Sequence, residues 1–175
     1  HYKYIESYNE VKPKIREEYT EEESTAVLTY LAFAADKALT MNCRQSWWEP
    51  STPKIAQIFD RHDFGFKWSF AENNLLAQDL GYEWVLGNIL TSYDDLRDLS
   101  KDGGKAEVHQ GDAAVLSLDD KSVEAVVLDP PYYDNVMYSE LSDFFYVMLK
   151  NYLGDVYPSF FTSDLANKNE EAVAN

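Results

Sequence analysis

Between Thr20 and Met41, the apolar side chains Val27, Leu28, Leu31, Ala34, Ala35, Ala38 and Leu39 recur at the spacing of one helix face. Thr20-Glu21-Glu22-Glu23 stands before them in the form of a capping box, a hydroxyl followed three residues later by a carboxylate, so a helix should begin there. Pro50 and Pro53 then break the pattern, because neither can sit in a helix interior. Lys54 to Asp60 predicts a short helix. Phe64, Phe66, Trp68 and Phe70 alternate with other residues, the period of a half-buried strand. Ala71 to Leu80 predicts a helix closed by Gly81, Ser92 to Leu99 a second short one, and Lys101-Asp102-Gly103-Gly104 a turn.

The pattern changes character in the second half. Ala106 to His109 predicts a short strand ending at Gly111-Asp112, and Val123-Glu124-Ala125-Val126-Val127-Leu128 is a nearly continuous apolar run of the kind buried in parallel sheets. Leu141, Phe144, Phe145, Met148, Leu149 and Tyr152 return to helical spacing and predict a helix over Ser139 to Tyr152. Strand, loop and helix in that order make an α/β unit, so the expected architecture is α/β. It divides into an N-terminal helical segment, residues 1–52, and a domain over residues 53–175. Asn167 to Asn175 is polar and small and should fray.

Composition narrows the class. The 175 residues are 45% hydrophobic and 15% aromatic, enough for one sizeable core, and no window approaches the apolar length of a membrane span. The N-terminus, His1-Tyr2-Lys3-Tyr4-Ile5-Glu6, lacks the form of a signal peptide, and the expectation is a soluble, cytoplasmic protein with no membrane contact. Cys43 is the only cysteine, so an internal disulfide and a cysteine-based zinc cluster are excluded. His1, His62 and His109 show no ligand spacing, and no metal site is expected. The net charge of −16 speaks against a nucleic-acid clamp, since duplex binding rests on Lys and Arg neutralising phosphates. Part of that charge is the local run Glu17, Glu18, Glu21, Glu22 and Glu23, the pattern of a solvated helix face.

The candidate chemistry lies at Asp129-Pro130-Pro131-Tyr132, directly after the apolar run. Open parallel sheets bind ligands beyond the carboxyl ends of their strands, which is where this segment would fall. Two prolines stiffen the loop and remove two donors, leaving carbonyl oxygens free to accept. With the Asp129 carboxylate, the loop becomes a cradle of acceptors. The exocyclic amine of adenine or cytosine is a poor nucleophile because its lone pair is delocalised into the ring. Acceptors out of the base plane, Asp129 and the Pro130 carbonyl, would draw its hydrogens toward tetrahedral geometry and localise that pair. Tyr132 offers a face on which an extruded base can stack. The competing reading is an ordinary rigid turn, but a match of this type arises by chance in roughly one chain of this length in two hundred. Glu72, at the end of the aromatic strand, could reach a ribose hydroxyl or serve only in packing and capping. Asp112 after Gly111 is otherwise a turn residue.

Asp129-Pro-Pro-Tyr resembles the catalytic motif of the amino-methyltransferases. The longer stretch Asp129-Pro-Pro-Tyr-Tyr-Asp-Asn-Val-Met-Tyr-Ser-Glu-Leu-Ser-Asp-Phe-Phe-Tyr146 is similar to the DUF1156-type adenine-specific DNA methylases, as are Trp68-Ser-Phe-Ala-Glu-Asn-Asn74 and Gly111-Asp112-Ala113. The resemblance covers roughly Glu22 to the C-terminus. It implies a partial Rossmann-like class I methyltransferase fold, S-adenosylmethionine as cofactor and adenine in DNA as acceptor. Asp129 and Pro130 would then bind the amine, Pro131 shape the loop, Tyr132 stack on the base, and Asp112 hold the cofactor's adenine amino group. The family's glycine-rich cofactor loop has no counterpart among Gly65, Gly81, Gly87, Gly103, Gly104, Gly111 and Gly154. The expectation is therefore a fragment, with contacts to DNA made largely outside it. An RNA or protein amino-methyltransferase and a non-catalytic module remain open beside this reading.

Overall fold

The computed structural model describes residues 1–56, 58–60, 68–78, 81–109, 111, 115–132 and 136–168. Among them the chain forms four helices, α1 (Tyr2–Glu18), α2 (Glu21–Thr40), α3 (Tyr82–Ser100) and α4 (Tyr138–Leu153), with a two-stranded antiparallel hairpin, β1 (Trp47–Glu49) and β2 (Lys54–Ala56). A short 3-10 turn, Ile58–Asp60, follows the hairpin.

The capping box opens α2 as expected. The Glu23 amide donates to Thr20 Oγ1 at 3.3 Å and the Thr20 amide to the Glu23 carboxylate at 3.1 Å, satisfying two donors that a helix start leaves without partners. The Thr20 hydroxyl, donating to the Glu23 carboxylate at 2.8 Å, and then the Thr20 amide hold that carboxyl below its ordinary value. Along α2 the small residues separate two faces. Leu28, Ala32 and Ala35 join Tyr8 of α1 and Tyr152 and Leu153 of α4 in one core, while Ala34 and Ala38 meet Val85 of α3 in a second. Alanine at these positions lets neighbouring helices approach closely, so α2 becomes the central element. α1 carries Pro13 in its interior and is tied down by side chains instead: Tyr8 donates to the Leu28 carbonyl at 3.1 Å, and Tyr4 to that of Leu31 at 2.8 Å.

The α/β expectation, with its Rossmann-like parallel sheet, is overturned: the described chain is mostly helical and its one sheet is the β1-β2 hairpin. Val123 to Leu128 is irregular and open to solvent, Val127 at 95%, and Ala106 to His109 is irregular too, with Val108 at 96%. A parallel pair needs a crossover of about a dozen residues or more, usually helical, and layers on both faces. The sequence from Gln110 to Ser122 has no apolar helical period to make that crossover. Without it the apolar run has no ladder and no cover.

Smaller expectations also shift. Lys54 to Ala56 pairs with Trp47 to Glu49 instead of starting a helix, because Glu49 caps the intervening turn through the Ser51 amide and hydroxyl at 3.0 and 2.6 Å. Residues 71–74 are irregular and 75–78 turn in place of a helix, and Gly81 begins α3 in place of ending one. A side chain at Gly81 would meet the Leu75 carbonyl oxygen at 2.1 Å. α3 then runs from Tyr82, well before the expected start at Ser92. Of the aromatic strand, residues 64–67 lie outside the described residues, and residues 68–70 form no ladder. The helix expected over Ser139 to Tyr152 is present as α4.

Candidate functional site

Asp129 to Tyr132 is an irregular, solvent-open segment ahead of α4. One bond anchors its end: the Tyr132 amide donates to the Tyr138 hydroxyl at 3.1 Å, linking the segment to the first residue of α4. The helix itself is entered through Tyr138 N–H to the Val136 carbonyl at 3.0 Å, with Val136 and Ser139 buried beneath. With its backbone held, the Tyr132 ring remains 61% exposed, and Asp129, Pro130 and Pro131 are exposed beside it. The arrangement leaves a carboxylate, prolyl carbonyls and an aromatic face open to a ligand from solvent.

Glu72 is placed by the loop that follows α2. The Ala71 amide donates to the Ser46 carbonyl at 3.0 Å, the Ser46 hydroxyl to the Ala71 carbonyl at 2.8 Å, and the Asn73 amide to Asn42 Oδ1 at 3.0 Å. Glu72 thereby borders a shallow cavity of about 430 Å³ with Arg44, Cys43 and Phe70. On the far side of Arg44 lies a second cavity, about 590 Å³, whose walls include Leu39, Glu140, Phe144 and Met148 of α2 and α4. Asp143, also on its wall, is engaged by Lys168 and by the Ala166 amide at 2.8 Å, which hold its carboxyl below the ordinary value. The structure thus gathers Glu72, Arg44 and the first turns of α4 into one region. Asp129 and Tyr132 line neither cavity. Asp112 lies outside the described residues. Arg44, which sequence reasoning passed over, sits in a polar loop with no pattern to single it out.

The cofactor implied by the resemblance can be tested against these residues. S-adenosylmethionine needs backbone to approach closely at glycines in a tight loop. No described glycine has a positive φ, Gly103 and Gly104 lie in an exposed turn, and Gly81 is required by the Leu75 carbonyl rather than by an open cradle. The described residues do not fit that group. Among them, no three His, Cys, Asp or Glu side chains converge as a metal site would require.

A second cluster was passed over in the sequence. Asp36 stands in the apolar stripe of α2, and burial pushes its carboxyl up to about 7. Tyr4 of α1, Tyr82 of α3 and Tyr152 of α4 converge near it: Tyr4 stacks on Tyr82 with centroids 4.6 Å apart and meets Tyr152 edge-on at 6.0 Å. Burial first, then Tyr82, Tyr4 and Asp36, raise the Tyr152 phenol, while burial and Tyr82 push Tyr4 up to about 12. Asp36 Oδ1 and the Tyr82 and Tyr152 hydroxyls are buried without a hydrogen-bond partner. A carboxylate inside a run of alanines was the available signal.

No helix among the described residues is long and apolar enough to cross a membrane. No protein-family model, curated protein or solved structure matches the chain.

Proposed function

We propose that Asp129 to Tyr132 receives the exocyclic amine of an adenine in DNA, the acceptor side of an N6-adenine methyl transfer. The observation that carries this reading is the presentation of the motif. Its backbone is pinned through Tyr132 N–H to Tyr138, while its carboxylate, prolyl carbonyls and ring stay open. Asp129 and the Pro130 carbonyl accept the two amine hydrogens from outside the base plane, and Tyr132 holds the extruded base by stacking. The long resemblance from Asp129 to Tyr146 supports the choice of adenine in DNA. S-adenosylmethionine is the methyl donor the resemblance implies; because the described residues do not form its cradle, the reading is confined to the acceptor side.

Discrimination against a base lacking the amine tests this directly. A short single-stranded oligonucleotide carrying one adenine is compared, at low salt, with a twin carrying unsubstituted purine. The adenine strand should bind at least about tenfold more tightly, the worth of one or two hydrogen bonds to a charged group. Asp129→Ala should erase that preference, and Asp129→Asn should weaken it. Tyr132→Ala should weaken both strands by roughly 1 to 3 kcal/mol, whereas Tyr132→Phe should be tolerated, because stacking needs the ring. Equal binding of adenine and purine by the unaltered chain would sink the proposal. A module that captures the amine without transferring a methyl group is the second reading, favoured by the poor fit of the donor. Incorporation of tritium from labelled S-adenosylmethionine into adenine separates the two.

A further inference from the structure

α3 packs along α2 by the first half of its apolar stripe, Val85 against Ala34 and Ala38. The stripe continues through Leu90, Tyr93 and Leu96, but the packing does not: these residues are exposed at 63%, 46% and 60%. Tyr93 touches α2 only edge-on, its ring 5.6 Å from that of Tyr30. Between the two helices runs a groove of about 460 Å³, floored by Val27, Tyr30, Leu86, Leu90 and Tyr93 and closed at one end by Tyr19. Two antiparallel helices with an unfilled apolar seam present the geometry that a third helix fills. From Leu86 to Tyr93 the lined part of the seam is about 10 Å long, roughly two helical turns.

The charge that lines it is acidic. Glu23 is in its wall, and Glu17, Glu18 and Glu22 stand close to the lining residue Tyr19 in the chain. No Lys or Arg is among its lining residues, and Arg97, one turn beyond Tyr93 on α3, is engaged with Asp94 at 3.0 Å and Asp98 at 3.5 Å. A second copy of this chain, at net charge −16, would bring acid against acid. We propose that the α2-α3 groove docks an amphipathic helix of a partner protein, apolar on one face and flanked by Lys or Arg. The apolar stripe supplies the affinity and the acidic border selects the sign of the partner.

Fluorescence anisotropy on the whole chain tests this with three synthetic peptides of about 18 residues, long enough to overrun the seam. One has leucines at helical spacing flanked by lysines, one has glutamates in place of the lysines, and one is the lysine peptide scrambled to destroy the stripe. The lysine peptide should bind at least about tenfold more tightly than either other, and about tenfold more weakly as salt rises from about 0.05 M to about 0.5 M. Leu90→Asn and Tyr93→Ser, both at exposed positions, should each weaken it about fivefold or more with the helical circular dichroism unchanged. Glu22→Lys should weaken it without touching the apolar floor. Equal binding of the lysine peptide and its scramble would reduce the effect to bulk charge and overturn the proposal. So would indifference to Leu90→Asn, or sedimentation showing a dimer of this chain that Leu90→Asn dissolves.

Discussion

At Asp36 an acid replaces what the helical period would make apolar, and the cost falls on the folded state. Its carboxyl ionises near 3.8 in the open chain and near 7 in the fold. Because the folded value is the higher, the stability associated with the neutral form is complete below about pH 4 and is lost as pH rises to about 7. Partial solvent access trims the loss to about 2 kcal/mol. Asp36→Asn should therefore raise the melting temperature by about 4 to 8 °C at pH 8 and change it little at pH 4, followed by circular dichroism. The tyrosines divide similarly by partner. The Tyr152 hydroxyl is buried with no partner, so Tyr152→Phe should be neutral or stabilising by up to about 1 kcal/mol. Tyr8→Phe, which loses the bond to Leu28, should cost about 1 kcal/mol in urea unfolding.

Between elements, one lysine joins the two ends of the chain's helical order. Lys12 of α1 donates to the Tyr152 carbonyl at 2.9 Å and to Asp155 at 2.7 Å, and lies 5.0 Å from the Tyr8 ring. Burial works to raise the Asp155 carboxyl, but Lys12 and then Arg16 outweigh it and hold it below its ordinary value. A depressed carboxylate contributes stability above its unfolded value and loses it as pH falls, the reverse of Asp36. Lys12→Ala should cost about 2 to 3 kcal/mol in denaturant unfolding, since it leaves a carbonyl and a carboxylate without their donor. A loss under about 0.5 kcal/mol would show that α1 is held by its apolar stripe and its tyrosine bonds to α2, with little from Lys12. Lys12 follows Tyr8 at helical spacing, yet nothing local marks it as paired with Asp155, because the partner lies far along the chain.

For the molecule as a whole, the described residues form no parallel sheet behind the motif, and that bears on what it can do by itself. With no glycine cradle among the described residues, calorimetric titration with S-adenosylmethionine should show no binding tighter than about 100 μM, or roughly −5.5 kcal/mol. Micromolar affinity would mean that a complete donor site forms by another route. The same structure leaves Leu118, Val123, Val126, Val127 and Leu128 exposed in the stretch before Asp129, outside both cores.

What the sequence determined by itself is local. The capping box at Thr20, the stripe of α2 and the helix after Ser139 each follow from residues within a few turns of one another. Helical hydrogen bonds close over four residues, so their signals are contained in the segment that makes them. Tertiary structure alone decided the rest. Val123 to Leu128 reads as a strand by composition, but a strand exists only when another strand takes up its ladder, and the described chain supplies none. The same holds for Asp36, Arg44 and the α2-α3 seam, whose character depends on which distant side chains arrive beside them and which fail to.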